Sequence, residues 1–163
     1  MAFANASMIS RFVTVLFATL FLAACASTTP DQLPISQGTA PPGSAQDFTV
    51  NVGDRVFFET DSSQLTGEGR LTLDRQAAWL MQYAQYSIQV EGHADERGTR
   101  EYNLALGARR AAATRDYLIS RGVPPQRLTT ISYGKERPVA TCNDITCWSQ
   151  NRRAITVLQG TAS

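Results

Sequence analysis

Between residues 91 and 98 the chain reads Glu91-Gly92-His93-Ala94-Asp95-Glu96-Arg97-Gly98, its densest run of ionisable and small residues. Two chemistries fit such a run. His93 with Asp95 and Glu96 carries the donor types of a metal site or of an acid–base pair. Yet His93 is the only histidine, no second ligand cluster stands at metal spacing, and no G-x-S-x-G nucleophile turn occurs. Catalysis, a cofactor and a bound metal are therefore not expected, and His93 reads as a structural histidine at a strand end. The other chemistry is recognition. Asn103, Leu106 and Arg110 stand at i, i+3 and i+7, so on a helix they form one stripe, separate from a stripe of Leu104, Ala108 and Ala111. A carboxylate and a guanidinium held at a fixed separation suit a zwitterionic amino-acid group: Asp95 takes the ammonium, and Arg110 grips the carboxylate with two parallel bonds. The amides at the helix N-terminus would add to that stabilisation. On spacing alone the alternative stays open, that Asp95 and Arg110 pair with each other or with Arg97 and Glu101.

These residues need a scaffold. Short runs rich in Val, Ile, Thr, Tyr and Phe predict strands at Phe48–Val52, Arg55–Phe58, Ser87–Gly92, Leu128–Tyr133 and Arg153–Leu158, with Gly53-Asp54 as a hairpin turn between the first two. Leu73, Ala77, Leu80 and Ala84 repeat at helical spacing, as do Leu104, Ala108, Ala111, Leu118 and Ile119. Thr99 suits an N-cap with Glu101 in the first turn, and Gly122 before Val123-Pro124 stops the second helix. Trp79 and Trp148 read as packing residues. The order β-β-α-β-α-β-β predicts an α/β sandwich, a mixed sheet of four or five strands with two main helices on one face. That domain is expected over residues 47–160.

The N-terminal part differs in composition. Arg11 precedes a thirteen-residue apolar run, Phe12 to Ala24, too short to span a bilayer. A charge, an apolar middle and small residues before a cleavage point describe a secretory signal peptide, here residues 1–24. Leu22-Ala23-Ala24-Cys25 looks like a lipobox, which implies a lipid on the Cys25 thiol, and Ala26 after it implies the outer membrane. Residues 25–46, with Pro30, Pro34, Pro41 and Pro42, read as a lipid-anchored flexible tether. The formal charge of +1 gives no reason to expect nucleic acid as a partner. In an exported, oxidising location Cys142 and Cys147 are expected to form a local disulfide, free thiols being the alternative.

Several stretches together resemble one family. Phe57-Phe58-Glu59-Thr60-Asp61-Ser62-Ser63, Glu91 to Arg97, Glu101-Tyr102-Asn103, Leu106-Gly107, Arg109-Arg110-Ala111, Ile131 to Glu136 and Asn151-Arg152-Arg153 are similar to the lipoprotein branch of the OmpA-like family. The resemblance runs from Val50 to Leu158, and GHADERGTREYN is its most specific string. It implies an OmpA C-terminal-like fold and a non-covalent clamp on the diaminopimelate of the peptidoglycan stem peptide. By motif position Asp95 and Arg110 match the two central ligand-binding residues, and Asp61, Arg97, Asn103 and Leu106 match the pocket around them. Arg152 and Arg153 would brace the site or flank the last strand. The same branch implies membership of the Tol-Pal system, with TolB and other Tol proteins as partners and a role in outer-membrane constriction at cell division. Two rival readings are an OmpA-like wall-binding lipoprotein outside that system and a metal-dependent wall hydrolase.

Overall fold

The computed structural model of the chain describes residues 40–161. The expected signal peptide, the lipid-bearing Cys25 and the tether as far as residue 39 lie outside the described residues. Among the described residues no helix is long and apolar enough to cross a membrane.

The described chain opens with a short helix α1 (Ala45–Asp47) that runs on as a π-helical turn (Phe48–Gly53). Then come β1 (Arg55–Phe57), α2 (Gly67–Gln82), β2 (Tyr86–His93), α3 (Arg100–Ser120), a 3₁₀ turn (Pro125–Arg127), β3 (Leu128–Gly134), α4 (Ile145–Asn151) and β4 (Arg153–Thr161). The sheet has four strands in the order β1-β4-β2-β3. β4 lies antiparallel to both β1 and β2, while β2 and β3 run parallel. The sandwich and its mixed sheet thus match the expectation.

Both long helices cover one face. Tyr86, Ile88, Val90 and Gly92 alternate as the buried side of β2, as a half-covered strand requires. In register with them, Ala154 and Thr156 point the same way, and the Thr156 hydroxyl donates to Gln76 Oε1 of α2 at 2.7 Å. Against these strands pack Leu73, Ala77 and Leu80 of α2 and Ala111 and Leu118 of α3, all buried. α3 lies unusually close: a Cβ on Gly92 would stand 1.8 Å from the Gly107 carbonyl oxygen, so neither backbone has room for a side chain at the crossing. That contact sets the height of α3 over the strand end that carries His93, Ala94 and Asp95.

The structure corrects four local expectations. Phe48–Val52 is helical, not a strand, and Gly53-Asp54 turns no hairpin. Ser44 caps α1 through Asp47 N at 3.1 Å, Asp47 accepts from Trp79 Nε1 at 2.8 Å, and Phe48 packs on Trp79 with ring centres 4.9 Å apart. Capping and aromatic docking outweigh the β-branched pattern there. Residues 40–46, assigned to the tether by composition, belong to the folded unit: Ala40 is buried and Tyr86 Oη donates to the Gly43 carbonyl at 2.8 Å. Residues 145–151, for which no element was expected, form α4 with Asp144 as N-cap. Finally, Leu104 and Ala108 are exposed, as is Ala84 beyond the end of α2, whereas Asn103, Leu106, Gly107, Arg110, Ala111 and Thr114 form the buried face of α3.

Candidate ligand-binding cleft

The supposed ligand stripe and the core stripe of α3 are therefore one face, and its N-terminal half underlies a cleft. Thr99 caps α3 by accepting from Tyr102 N at 3.2 Å. Asn103 Nδ2 donates to the carbonyls of Arg97 at 2.7 Å and Thr99 at 3.0 Å, tying the helix start to the loop after β2. Lys135, after β3, clips the same loop by donating to the Glu96 and Gly98 carbonyls at 3.1 and 2.6 Å. The loop after β1 forms the opposite wall. There Asp61 adopts a left-handed conformation at φ 56°, and Tyr102 Oη donates to its carboxylate. Between these walls lies a cleft of about 260 Å³ lined by Thr60, Asp61, Asp95, Arg97, Asn103 and Leu106, among others.

Asp95 is 7 % exposed and paired within the protein. Burial alone would raise its carboxyl, but hydrogen bonds from the Arg97 side chain and amide, and from Arg152, hold it below its ordinary 3.8. It remains a carboxylate at neutral pH. Arg152 Nη1 stands 3.5 Å from Asp95 Oδ2 while its Nε donates to the Phe58 carbonyl at 3.0 Å. So Arg152 braces the site. Arg153 does not: it points to the other side of the sheet, where it donates to the Asn151 and Arg137 carbonyls.

Arg110 is fully buried beneath the cleft. Its guanidinium donates to three backbone carbonyls, Ser62 and His93 at 2.8 Å and Glu59 at 3.1 Å. Burial pushes it down to about 10, with the negative charge of Asp95 acting the other way, so it stays charged near neutral pH. The pairing of Asp95 that sequence spacing left open is thus with Arg97, and Arg110 is spent on the backbone of both cleft walls.

A larger depression of about 430 Å³ is lined by Phe57, Phe58, Glu59, Thr66, Glu68 and Arg152. Arg152, the one guanidinium lining that depression, is already bound to Asp95 and the Phe58 carbonyl, whereas Asp95 and Arg97 both line the smaller one. The acid–base trio of the sequence is not assembled. His93 lies on the sheet face away from α2 and α3, 3.7 Å from Glu91 and beside Tyr133, with neither ring nitrogen hydrogen-bonded. Cys142, Asp144 and Cys147 are the one group of metal-ligand types brought together among the described residues, and the two sulfurs are joined as a disulfide.

The OmpA family model matches residues 57–153, a span that takes in both walls of this cleft and the arginines under it. The chain belongs to the OmpA family. It is similar to the peptidoglycan-associated lipoprotein of Rhizobium meliloti (strain 1021), 67% identical over 150 residues that cover 89% of this chain and 85% of that one. That of Pseudomonas aeruginosa is 55% identical over 97 residues, 60% of this chain and 57% of that one. Among solved structures, the peptidoglycan-associated lipoprotein from Burkholderia pseudomallei superposes with a TM-score of 0.63 at 42% identity, over 65% of this chain and 90% of that one. The C-terminal domain of Helicobacter pylori MotB gives 0.62 at 26%, over 67% and 86%.

Within this OmpA-family fold, Asp61, Asp95, Arg97, Asn103 and Leu106 meet at one surface, and Arg110 joins them from below. Sequence reading missed Tyr102 and Trp148. Tyr102 follows the N-cap by three residues and was visible as an aromatic in a polar turn. Trp148 lies under the Arg97 guanidinium at 4.3 Å from the ring centre, a contact that no spacing signals.

Proposed function

We propose that this chain is an envelope lipoprotein that holds peptidoglycan non-covalently, its cleft receiving the diaminopimelate of the stem peptide. It is a binding protein and not an enzyme. The observation that carries this reading is the convergence of Asp61, Asp95, Arg97 and Asn103 on one small cleft at the start of α3. Diaminopimelate presents ammonium and carboxylate together, and opposed fixed charges in a half-buried cleft recognise that pair better than either charge alone. Asp95 serves the ammonium, and Arg110 supports the carboxylate side. The names of the most similar relatives, peptidoglycan-associated lipoproteins, support the same ligand class. In this reading residues 1–24 are a signal peptide, Cys25 carries the lipid, and a tether ending near residue 39 leads to the folded unit. The lipid sits in the outer membrane with the folded unit facing the periplasm, and the protein works in the Tol-Pal system with TolB as a partner during envelope constriction.

The test is co-sedimentation of the full chain, purified in non-ionic detergent, with diaminopimelate-type sacculi. The parent is expected in the pellet and a folded Asp95→Ala variant in the supernatant. A parent that stays in the supernatant refutes wall binding, and retention of Asp95→Ala in the pellet moves the ligand away from this cleft. Capture of TolB by the immobilised chain separates the Tol-Pal reading from that of a wall-binding protein outside it.

A further inference from the structure

Asp95 is already occupied, and by the protein itself. The Arg97 guanidinium closes on it as a fork, Nε to Oδ1 at 3.0 Å and Nη2 to Oδ2 at 2.7 Å. The Arg97 amide adds a bond to Oδ1 at 3.2 Å, and Arg152 Nη1 approaches Oδ2 at 3.5 Å. A carboxylate offers about four acceptor positions, so these four donors leave none for a ligand ammonium. Two of the four, both on the Arg97 guanidinium, can depart together. The Arg97 side chain is 40% exposed, whereas that of Arg152 is 6% exposed and also bound to the Phe58 carbonyl.

Where the released guanidinium goes is also built in. It lies over the Trp148 ring, and Trp148 Nε1 donates to Glu96 Oε1 at 3.0 Å. Trp148 stands on α4, which Asp144 caps and the Cys142–Cys147 disulfide clips to its own lead-in loop. A guanidinium stacked in this way is held beside the cleft instead of swinging into solvent. Arg110 cannot take its place at the surface, because it is fully buried and three of its N–H groups serve backbone carbonyls. A carboxylate entering the cleft meets Arg97 first.

We propose that Arg97 is an exchangeable internal counter-ion, held ready by Trp148, that makes the cleft selective for zwitterionic head groups over simple ammonium groups. An incoming ammonium replaces the Arg97 guanidinium on Asp95, and the carboxylate of the same head group pairs with the released Arg97. One ion pair becomes two. A ligand without a carboxylate displaces Arg97 and gives it no partner, so it must compete against the internal pair at a loss. Arg97 is thereby a specificity-determining residue and Trp148 a positioning residue. The inference rests on the reading of this cleft as the ligand site.

Isothermal calorimetry on the full chain in non-ionic detergent tests it with two probes, meso-diaminopimelate and 1,5-diaminopentane, which has the same two ammonium groups and no carboxylates. The parent is expected to bind the first and to discriminate against the second. Arg97→Gln should weaken diaminopimelate by about tenfold or more while leaving 1,5-diaminopentane unchanged or tighter, so that discrimination collapses. Trp148→Ala should lower discrimination in the same sense, and Trp148→Phe, which keeps an aromatic face, should restore it. Parent-like discrimination in folded Arg97→Gln or Trp148→Ala overturns the counter-ion proposal while the cleft stands. A parent that binds neither probe overturns the cleft reading itself, and the proposal with it.

Discussion

Replacing Arg110 by Met removes three hydrogen bonds at once and takes the Arg110 donor from the Ser62 and His93 carbonyls, while the Glu59 carbonyl keeps only the Ser62 amide. Hydrogen bonds from a charged group contribute roughly 1.5–3 kcal/mol each. Against their sum stands the several kcal/mol recovered when a guanidinium no longer has to be stripped of water. The net loss expected is about 3–5 kcal/mol, the range found when a buried charge network is broken by removing one member. For a folded unit of this size each kcal/mol moves the melting point by about 3–4 °C, so Arg110→Met should melt roughly 10–20 °C below the parent. Arg109→Ala is the control: its exposed neighbour should stay within about 0.5 kcal/mol. Thermal and urea unfolding followed by circular dichroism give both numbers. An Arg110→Met protein within about 1 kcal/mol of the parent would refute the idea that this guanidinium ties the cleft walls together. If instead the loss is as large as expected, failure of an Arg110 variant to pellet with sacculi reports a collapsed cleft as well as a missing contact. Asp95 and Arg97 are then the cleaner sites for testing recognition.

Two further outcomes follow from buried groups away from the cleft. Burial, then the charges of Arg153 and Arg137, lower His93 from 6.5 to about 4. The unfolded chain takes up that proton as pH falls through 6.5 and the folded chain only near 4, so the contribution is complete above 6.5 and lost across that window. Since His93 is the only histidine, melts from pH 7.5 to 4.5 should show a falling midpoint that His93→Gln flattens, and a flat parent curve would contradict its buried neutral state. The Cys142–Cys147 bridge closes a loop at a sequence separation of 5, which on chain entropy stabilises by about 2 kcal/mol. Reduction, or Cys142→Ser with Cys147→Ser, should lower the urea midpoint accordingly, and an unchanged midpoint would mean that the Asp144 cap holds this loop unaided.

The strands and the ends of α3 were legible because their signals are local. Alternation marks β2, Thr99 caps α3, and Gly122 at φ 98° ends it. The face of α3 was not legible, for a reason specific to this site. Asn103 and Arg110 are buried because their side chains reach backbone carbonyls of the neighbouring loops, while Leu104 is 46% exposed. Hydrophobic periodicity assumes that the inside is apolar, and here a charged residue is the largest fully buried side chain. The Phe48–Gly53 turn failed for the opposite reason. Thr49 and Val50 are exposed and Val52 is only partly buried, so a single ring, Phe48, decides the conformation by docking on Trp79. Of the cleft, the residue types and their sharing of one site were readable. The partners were not, since the Asp95–Arg97 fork and the Arg97–Trp148 stack depend on how α4 returns to the loop after β2.

That return explains why the cleft can be both firm and exchangeable. Its fixed members are bound to backbone: Arg110 to three carbonyls, Asn103 to two, and Arg152 to one. Its labile member, Arg97, is held by side chains alone, one carboxylate and one ring. Backbone-bound groups move only if a loop moves, whereas a side-chain pair exchanges by rotation about its own bonds. The position of the N-terminal segment is consistent with the same division. It is fastened at the Tyr86 end of β2 through the Gly43 carbonyl, and the cleft lies beyond the His93 end, roughly 23 Å away along an eight-residue strand. Gly43 therefore lies at the pole of the folded unit opposite the cleft, and its contact with Tyr86 is separate from the Asp95–Arg97 pair.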